Sequence, residues 1–202
     1  MPAKGQRRKQ QIIETAKDMF MNQGFQSSHI GQVCDRLNIA RGTVYQYFGN
    51  KREILFAILE DVKDQISDIF DADDLSDFIK SNPSREAMLA FITNRLTTGI
   101  RTLIAEPIVM KLIFKDIPGI DEEVDRKVEK FLDSVSRTIT TDMAELKAKG
   151  YFKKSMIPDV TVKLIIGGIL ILVQDCERTK KDPLAKETVT AFVDTFMHGV
   201  VS

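Results

Sequence analysis

Apolar side chains recur along this chain every three or four residues, the spacing that gathers them on one face of an α-helix. No run alternates long enough to demand a sheet. The pattern predicts an all-α fold of about nine helices. Ile12, Ile13, Ala16, Met19 and Phe20 form one stripe of a first helix over Gln6–Gln23, with Gly24 as its stop. Ser28 is placed to cap a short second helix that reaches Leu37 and turns Ile30, Val33 and Leu37 inward. Asn38 tolerates the left-handed backbone of a tight turn and Ile39 can plug the angle, so another short helix is expected over Ala40–Tyr47. Gly49 and Asn50 break and recap the chain. A long helix then runs from Lys51 to about Phe70 on Ile54, Leu55, Ile58, Leu59, Val62 and Ile66.

The acidic stretch Asp71–Asp77, followed by Ser81, Asn82 and Pro83, reads as the first clear loop region. Further helices are expected at Ser84–Thr102, Leu103–Lys115, Asp121–Lys149, Pro158–Thr179 and Pro183–Val200. Pro107 marks a kink, Ile117-Pro118-Gly119 a loop, Gly150 a stop, and Pro158 and Pro183 helix starts. The most apolar run, Leu164–Val173, falls well short of the ~20 residues a membrane-spanning helix needs and is read as a buried helix.

Charge changes the picture once it is read by position. The 202 residues hold 29 basic and 29 acidic side chains, but up to Arg52 nine basic residues face only Glu14, Asp18 and Asp35, so the remainder is acidic by the same margin. A basic segment ahead of an acidic one points to nucleic acid or an anionic membrane surface as the first segment's partner. Cys34 and Cys176 stand alone, and His29 and His198 are the only histidines, so no disulfide framework, zinc site or other metal centre is expected. The polar, basic stretch Met1–Gln11 has no apolar core of a secretory signal, which leads to the expectation of a cytoplasmic protein. No nucleophile elbow, phosphate loop or paired-histidine helix is present, and Glu122, Glu123 and Asp125 read as a solvated helix start, so no enzyme activity and no cofactor are expected.

The helix, Asn-containing turn and short helix between Ser28 and Tyr47 read as a helix-turn-helix. The run Gly24-Phe-Gln-Ser-Ser-His-Ile, followed by Asn38-Ile-Ala-Arg-Gly-Thr-Val-Tyr-Gln-Tyr-Phe-Gly-Asn-Lys-Arg-Glu-Ile-Leu55, resembles the N-terminal domain of the tetracycline-repressor (TetR) family of bacterial transcription regulators. Asn38 stands where that family usually has Gly, and Ala40 where a Ser would cap the recognition helix. The resemblance implies a DNA-binding domain over residues 1–52 and a ligand-binding and dimerisation domain over 53–202. It also implies that the helix Ala40–Tyr47 enters the major groove of a double-stranded operator.

On that reading Arg41 contacts either a guanine edge, with ~1 to 3 kcal/mol of discrimination, or a phosphate. Gly42 either lets the backbone approach the duplex or relieves helix crowding. Ser28, Thr43, Gln46 and Lys51 are further DNA-binding candidates, with Lys51 on a phosphate beside the amides of its helix start. Tyr45 and Tyr47 cannot both face the core, so at least one hydroxyl is free for a phosphate. Arg7, Arg8 and Lys9 form a basic arm within reach of DNA.

The resemblance further implies a homodimer built from the last two helices, with Leu164, Gly167, Gly168, Ile171, Val189, Phe192 and Phe196 as candidates for the interface. It implies a small-molecule effector among the middle helices, with Met88, Phe91, Met110, Phe114, Phe131 and Phe152 as walls, and Arg95 or Gln174 as the polar contact. Walls of Phe and Met suit an apolar or amphipathic effector. The expected function is a repressor that such an effector releases from a palindromic operator. The competing reading is a helical protein-interaction or membrane-surface module that uses the basic arm.

Overall fold

The computed structural model describes residues 4–111, 121–183 and 185–200, and among them it is all-α, with ten helices. They are α1 (Lys4–Gln23), α2 (Ile30–Leu37), α3 (Arg41–Tyr45), α4 (Lys51–Ile69), α5 (Ala72–Lys80), α6 (Arg85–Ala105), α7 (Pro107–Lys111), α8 (Glu122–Ala148), α9 (Pro158–Thr179) and α10 (Lys186–Val200). The described residues of Met1–Val62 and Pro107–Phe131 form one compact unit, and those of Lys63–Glu106 and Leu132–Ser202 a second. A cut at Arg52 would fall inside α4, whose next three turns supply Ile54, Leu55, Ile58, Leu59 and Val62 to the buried core of the first unit.

The first unit closes around Ile12, Ala16 and Phe20 of α1, Phe25, Val33 of α2, and Val44 and Phe48 around α3, all buried. Phe20 and Phe25 meet edge to face, with ring centroids 5.2 Å apart. Gly24, at φ 83°, ends α1 with its amide on the Phe20 carbonyl. Asn38 takes the left-handed conformation at φ 50°, and the amides of Asn38 and Ile39 return to Asp35 and Cys34. Cys34 is a buried spacer. Ala40 precedes α3 with extended backbone and no side-chain cap, so the recognition helix is only one and a half turns long.

Several local expectations are corrected. Ser28 does not cap α2: its hydroxyl donates back to the Gly24 carbonyl at 2.8 Å, and His29 holds the cap position, its amide donating to Gln32 Oε1. The acidic stretch after Phe70 is not a loop. Asp71 accepts the Asp73 amide and caps α5, with Asp73 and Asp74 in its positive first turn and Lys80 in its last. No helix begins at Leu103. Instead α6 runs through it to Ala105, the residue before Pro107 leaves helical space, and the proline starts α7. The last helix begins at Lys186 rather than Pro183, after Lys180 ends α9 in a left-handed conformation at φ 55°. The loop expected at Ile117-Pro118-Gly119 lies outside the described residues.

In the second unit Ser84 caps α6, and Gly150, at φ 83°, stops α8 with the amides of Gly150 and Tyr151 on Lys147 and Leu146. Helix α10 packs on α6. Gly168 of α9 admits the Phe192 ring of α10, since a Cβ there would lie 2.9 Å from Phe192 Cε2.

Candidate functional site

Helix α3 turns one side into the core through Val44 and the other to solvent. Arg41, Gly42, Tyr45 and Gln46 lie on the exposed side, Tyr45 with 54% of its surface accessible. A Cβ built on Gly42 meets nothing within 4 Å, so helix crowding does not account for this glycine, whereas approach by an outside molecule would. The Arg41 guanidinium rests beside α2, 3.3 Å from where a Cβ on Gly31 would stand, and needs only rotamer changes to leave it. Phe48 is buried, as its apolar ring requires.

Beside α3 the start of α1 forms a groove of about 530 Å³ lined by Lys4, Gly5, Arg7, Arg8, Gln11, Thr43 and Tyr47. Three cations on one wall and hydroxyls on the other give it the make-up of a phosphate-backbone contact. Tyr47 is half-buried, its hydroxyl 3.6 Å from the space a Cβ on Gly5 would take. Lys4, Gly5 and Gln11 were not among the sequence candidates; α1 starts two residues earlier than its apolar stripe shows, which brings Lys4 and Gly5 into the helix. Lys9 leaves the arm and lies over the Phe48 ring at 5.7 Å.

Two other candidates are committed to the fold. Ser28 is fully buried. Lys51 turns its ammonium inward, where Nζ donates to the carbonyls of Phe25, Gln26 and Ser28 at 2.7, 2.8 and 3.1 Å and sits 4.6 Å from the Phe25 ring centroid. Three donors meet three acceptors, so the amine clasps the loop between α1 and α2 to the start of α4. Burial first, and then the neighbouring Arg52, lower its pKa from the ordinary lysine value.

The effector candidates scatter. Phe91, Arg95 and Phe152 come together in the second unit around a cavity of about 20 Å³ that Phe70, Leu75 and Met143 also line. Met88 is buried but not on that cavity, and Phe131 is buried in the first unit. Gln174 is exposed on α9 and is no cavity wall. The side chain of Met110, and the whole of Phe114, lie outside the described residues.

Arg95 is the buried polar residue of this cavity. Its Nε donates to the Ile69 carbonyl at 2.9 Å and Nη2 to the Asp71 carbonyl at 3.0 Å, while Nη2 forms an ion pair with the Asp142 carboxylate at 3.0 Å. The guanidinium also lies 5.3 Å from the Phe70 ring centroid and 5.2 Å from that of Phe91. Arg95 and Asp142 side chains are each only 8% exposed. Burial pushes the Asp142 carboxyl up to about 6 against the pull of Arg95, with Glu145 and Asp71 adding to the rise. Asp142 went unnoticed in the sequence because nothing local ties it to Arg95.

On α9, Leu164 and Ile171 stand two turns apart with 70% and 62% of their surfaces accessible. Beside them an apolar groove of about 530 Å³ runs along α10 past Phe192 and Phe196. Gly167 is open, with no atom within 4 Å of a built Cβ, whereas Val189 is buried inside its own unit and Gly168 is filled by Phe192. Among the described residues no His, Cys, Asp and Glu cluster could hold a metal ion, and no helix is long and apolar enough to cross a membrane.

A recognition-type helix held outward behind a left-handed asparagine turn, with a cationic groove at its flank, defines the helix-turn-helix class of DNA-binding domain. Residues 12–58 match the model of the family described as bacterial regulatory proteins, tetR family. It is 40% identical over 57 residues to the HTH-type transcriptional regulator HbdR of Aromatoleum sp. (strain CIB), a match covering 28% of this chain and 25% of that one. The curated relatives it matches are spanned over about a quarter to under half of their length. Two solved structures share the fold along nearly the whole chain. The transcriptional regulator FadR from Bacillus subtilis, solved in complex with stearoyl-CoA, has a TM-score of 0.67 at 18% identity, covering 94% of this chain and 95% of that one. The SmeT–triclosan complex has a TM-score of 0.76 at 15% identity, covering 96% and 92%.

Proposed function

We propose that this protein represses transcription by binding a palindromic DNA operator as a homodimer and is released by a small apolar or amphipathic effector. The observation that carries the reading is the exposed face of α3, where Arg41, Tyr45 and Gln46 surround a glycine with empty space above it, flanked by the groove of Lys4, Arg7 and Arg8. In this docking mode Arg41 reads a base edge while the groove holds the neighbouring phosphates. The second copy of the chain would bury Leu164, Ile171 and the groove along Phe192 and Phe196. Such a face is too apolar to be left in water without a partner. Support for the effector class comes from the long acyl chain of stearoyl-CoA on FadR and the chlorinated aromatic triclosan on SmeT.

Release follows from linkage. An effector that favours the conformer with badly spaced recognition helices weakens DNA binding by the same free energy, and a coupling of ~1 to 3 kcal/mol means about a 5- to 150-fold loss of affinity. The test is fluorescence anisotropy on a duplex selected from random sequence, with a scrambled duplex alongside, across a salt series. Tight, selective and steeply salt-dependent binding that collapses in Arg41→Ala supports the regulator. Equal, weak binding to both duplexes would overturn it.

A further inference from the structure

Arg95 has a spare donor. Nε and Nη2 donate to two carbonyls and Nη2 is ion-paired with the Asp142 carboxylate, but Nη1 is buried and has no hydrogen-bond partner. Leaving a buried donor of a charged group unpaired is costly, so the group is poised to gain from a ligand acceptor. The small cavity beside it has walls of Phe70, Leu75, Phe91, Leu96, Met143 and Phe152, with almost no polar lining besides Arg95 and Asp142. At about 20 Å³ it admits one polar group the size of a water, and a longer tail requires the Met143 and Phe91 side chains to swing aside.

Charge decides what that group is. Arg95 and Asp142 already neutralise one another, and Asp71 and Glu145 add negative potential at Asp142. A second carboxylate would enter against that potential, while a neutral oxygen accepts from Nη1 and leaves the ion pair intact. We infer that this cavity takes the single neutral hydrogen-bond acceptor, a carbonyl or ether oxygen, of an otherwise apolar effector, anchored by Arg95 Nη1. This rests on the regulator reading above for the ligand's biological role, but the binding chemistry stands separately. The anchor also has a built-in output. The same guanidinium holds the Ile69 carbonyl at the C-terminal end of α4, so a ligand that draws Nη1 toward itself loads the last turn of that helix.

Two ketones serve as probes, 4-phenyl-2-butanone and 2-decanone, against butylbenzene, which lacks the acceptor, and decanoate, which is charged. Binding to the full chain is followed by titration of the Arg95 Nη signals in ¹⁵N NMR, with circular dichroism as the folding control. At least one ketone is expected to shift those signals and to bind about tenfold or more tightly than its acceptor-free or anionic counterpart. Arg95→Lys, which keeps the charge but has no Nη1, should erase that difference. Failure of both ketones to shift the signals, equal affinity for butylbenzene, tighter binding of decanoate, or an unchanged preference in Arg95→Lys would each overturn the inference. Operator anisotropy run on the same samples separates the two readings: selective DNA binding without ketone binding defeats only this one, and the reverse defeats only the regulator.

Discussion

Replacing Lys51 by methionine separates two tasks that one ammonium could perform. Methionine keeps the aliphatic stem and good helix propensity but removes the three donors to Phe25, Gln26 and Ser28 and the cation over the Phe25 ring. The Gln26 carbonyl lies at the surface and can regain water, so the loss comes mainly from the two part-buried carbonyls. Hydrogen bonds to a charged group contribute ~1.5 to 3 kcal/mol each, net of exchange with water, and partial exposure puts the two together at the low end, about 3 kcal/mol. For a chain of this size that lowers Tm by roughly 6 to 12 °C, measurable by circular dichroism. A lysine spent on the fold also leaves the salt dependence of operator binding unchanged, whereas a lost phosphate contact would reduce its log–log slope by about 0.9. An unaltered Tm together with a slope smaller by about one would refute the clasp and restore Lys51 to the DNA.

Three further outcomes are expected. Asp142 carries a folded-state pKa raised from 3.8 to about 6, so between those values the native protein holds a proton that the unfolded chain has released. Its contribution therefore grows as pH falls from 7 to 5, by about 1 kcal/mol, and is lost as pH rises through 6. Urea titrations should show this increment in the wild type relative to Asp142→Asn, and parallel pH profiles would contradict it. Gly99→Ala puts a Cβ 2.8 Å from Phe70 Cε2 and should destabilise by ~1 to 3 kcal/mol in chemical denaturation; a neutral result would mean that the ring moves freely. Leu164→Asp with Ile171→Asp should halve the mass seen by light scattering while helical content stays constant, and a persisting dimer would place the interface elsewhere.

Local chemistry was legible and tertiary chemistry was not. Asn38 announced its left-handed turn and Ala40 its missing cap, because each depends on a few neighbouring residues, whereas the open space over Gly42 emerged only from the structure. Helix α5 was hidden by its own aspartates. Asp71, Asp73 and Asp74 suggest a loop by composition, yet they suit a helix start, and Leu75, Phe78 and Ile79 behind them keep helical spacing. The tasks of Lys51 and Arg95 depend on carbonyls more than twenty residues earlier in the chain, and the Asp142 partner lies 47 residues after Arg95, separations at which no periodicity gives a signal. Both Lys4 and Gln11 line the groove beside α3 only because α1 and the end of the helix-turn-helix meet there.

The clasp at Lys51 and the anchor at Arg95 share one property: beside the ion pair of Arg95 with Asp142, their hydrogen-bond partners are main-chain oxygens. Every residue type carries such an oxygen. Mutations at Gln26 or Ile69 can therefore change the side chain while leaving the attachment point in place, and the two ends of α4 remain moored through substitutions that would sever a side-chain pair. A scaffold addressed in this way can drift widely in composition without losing its joints, in keeping with solved structures that retain this fold at 15% and 18% identity.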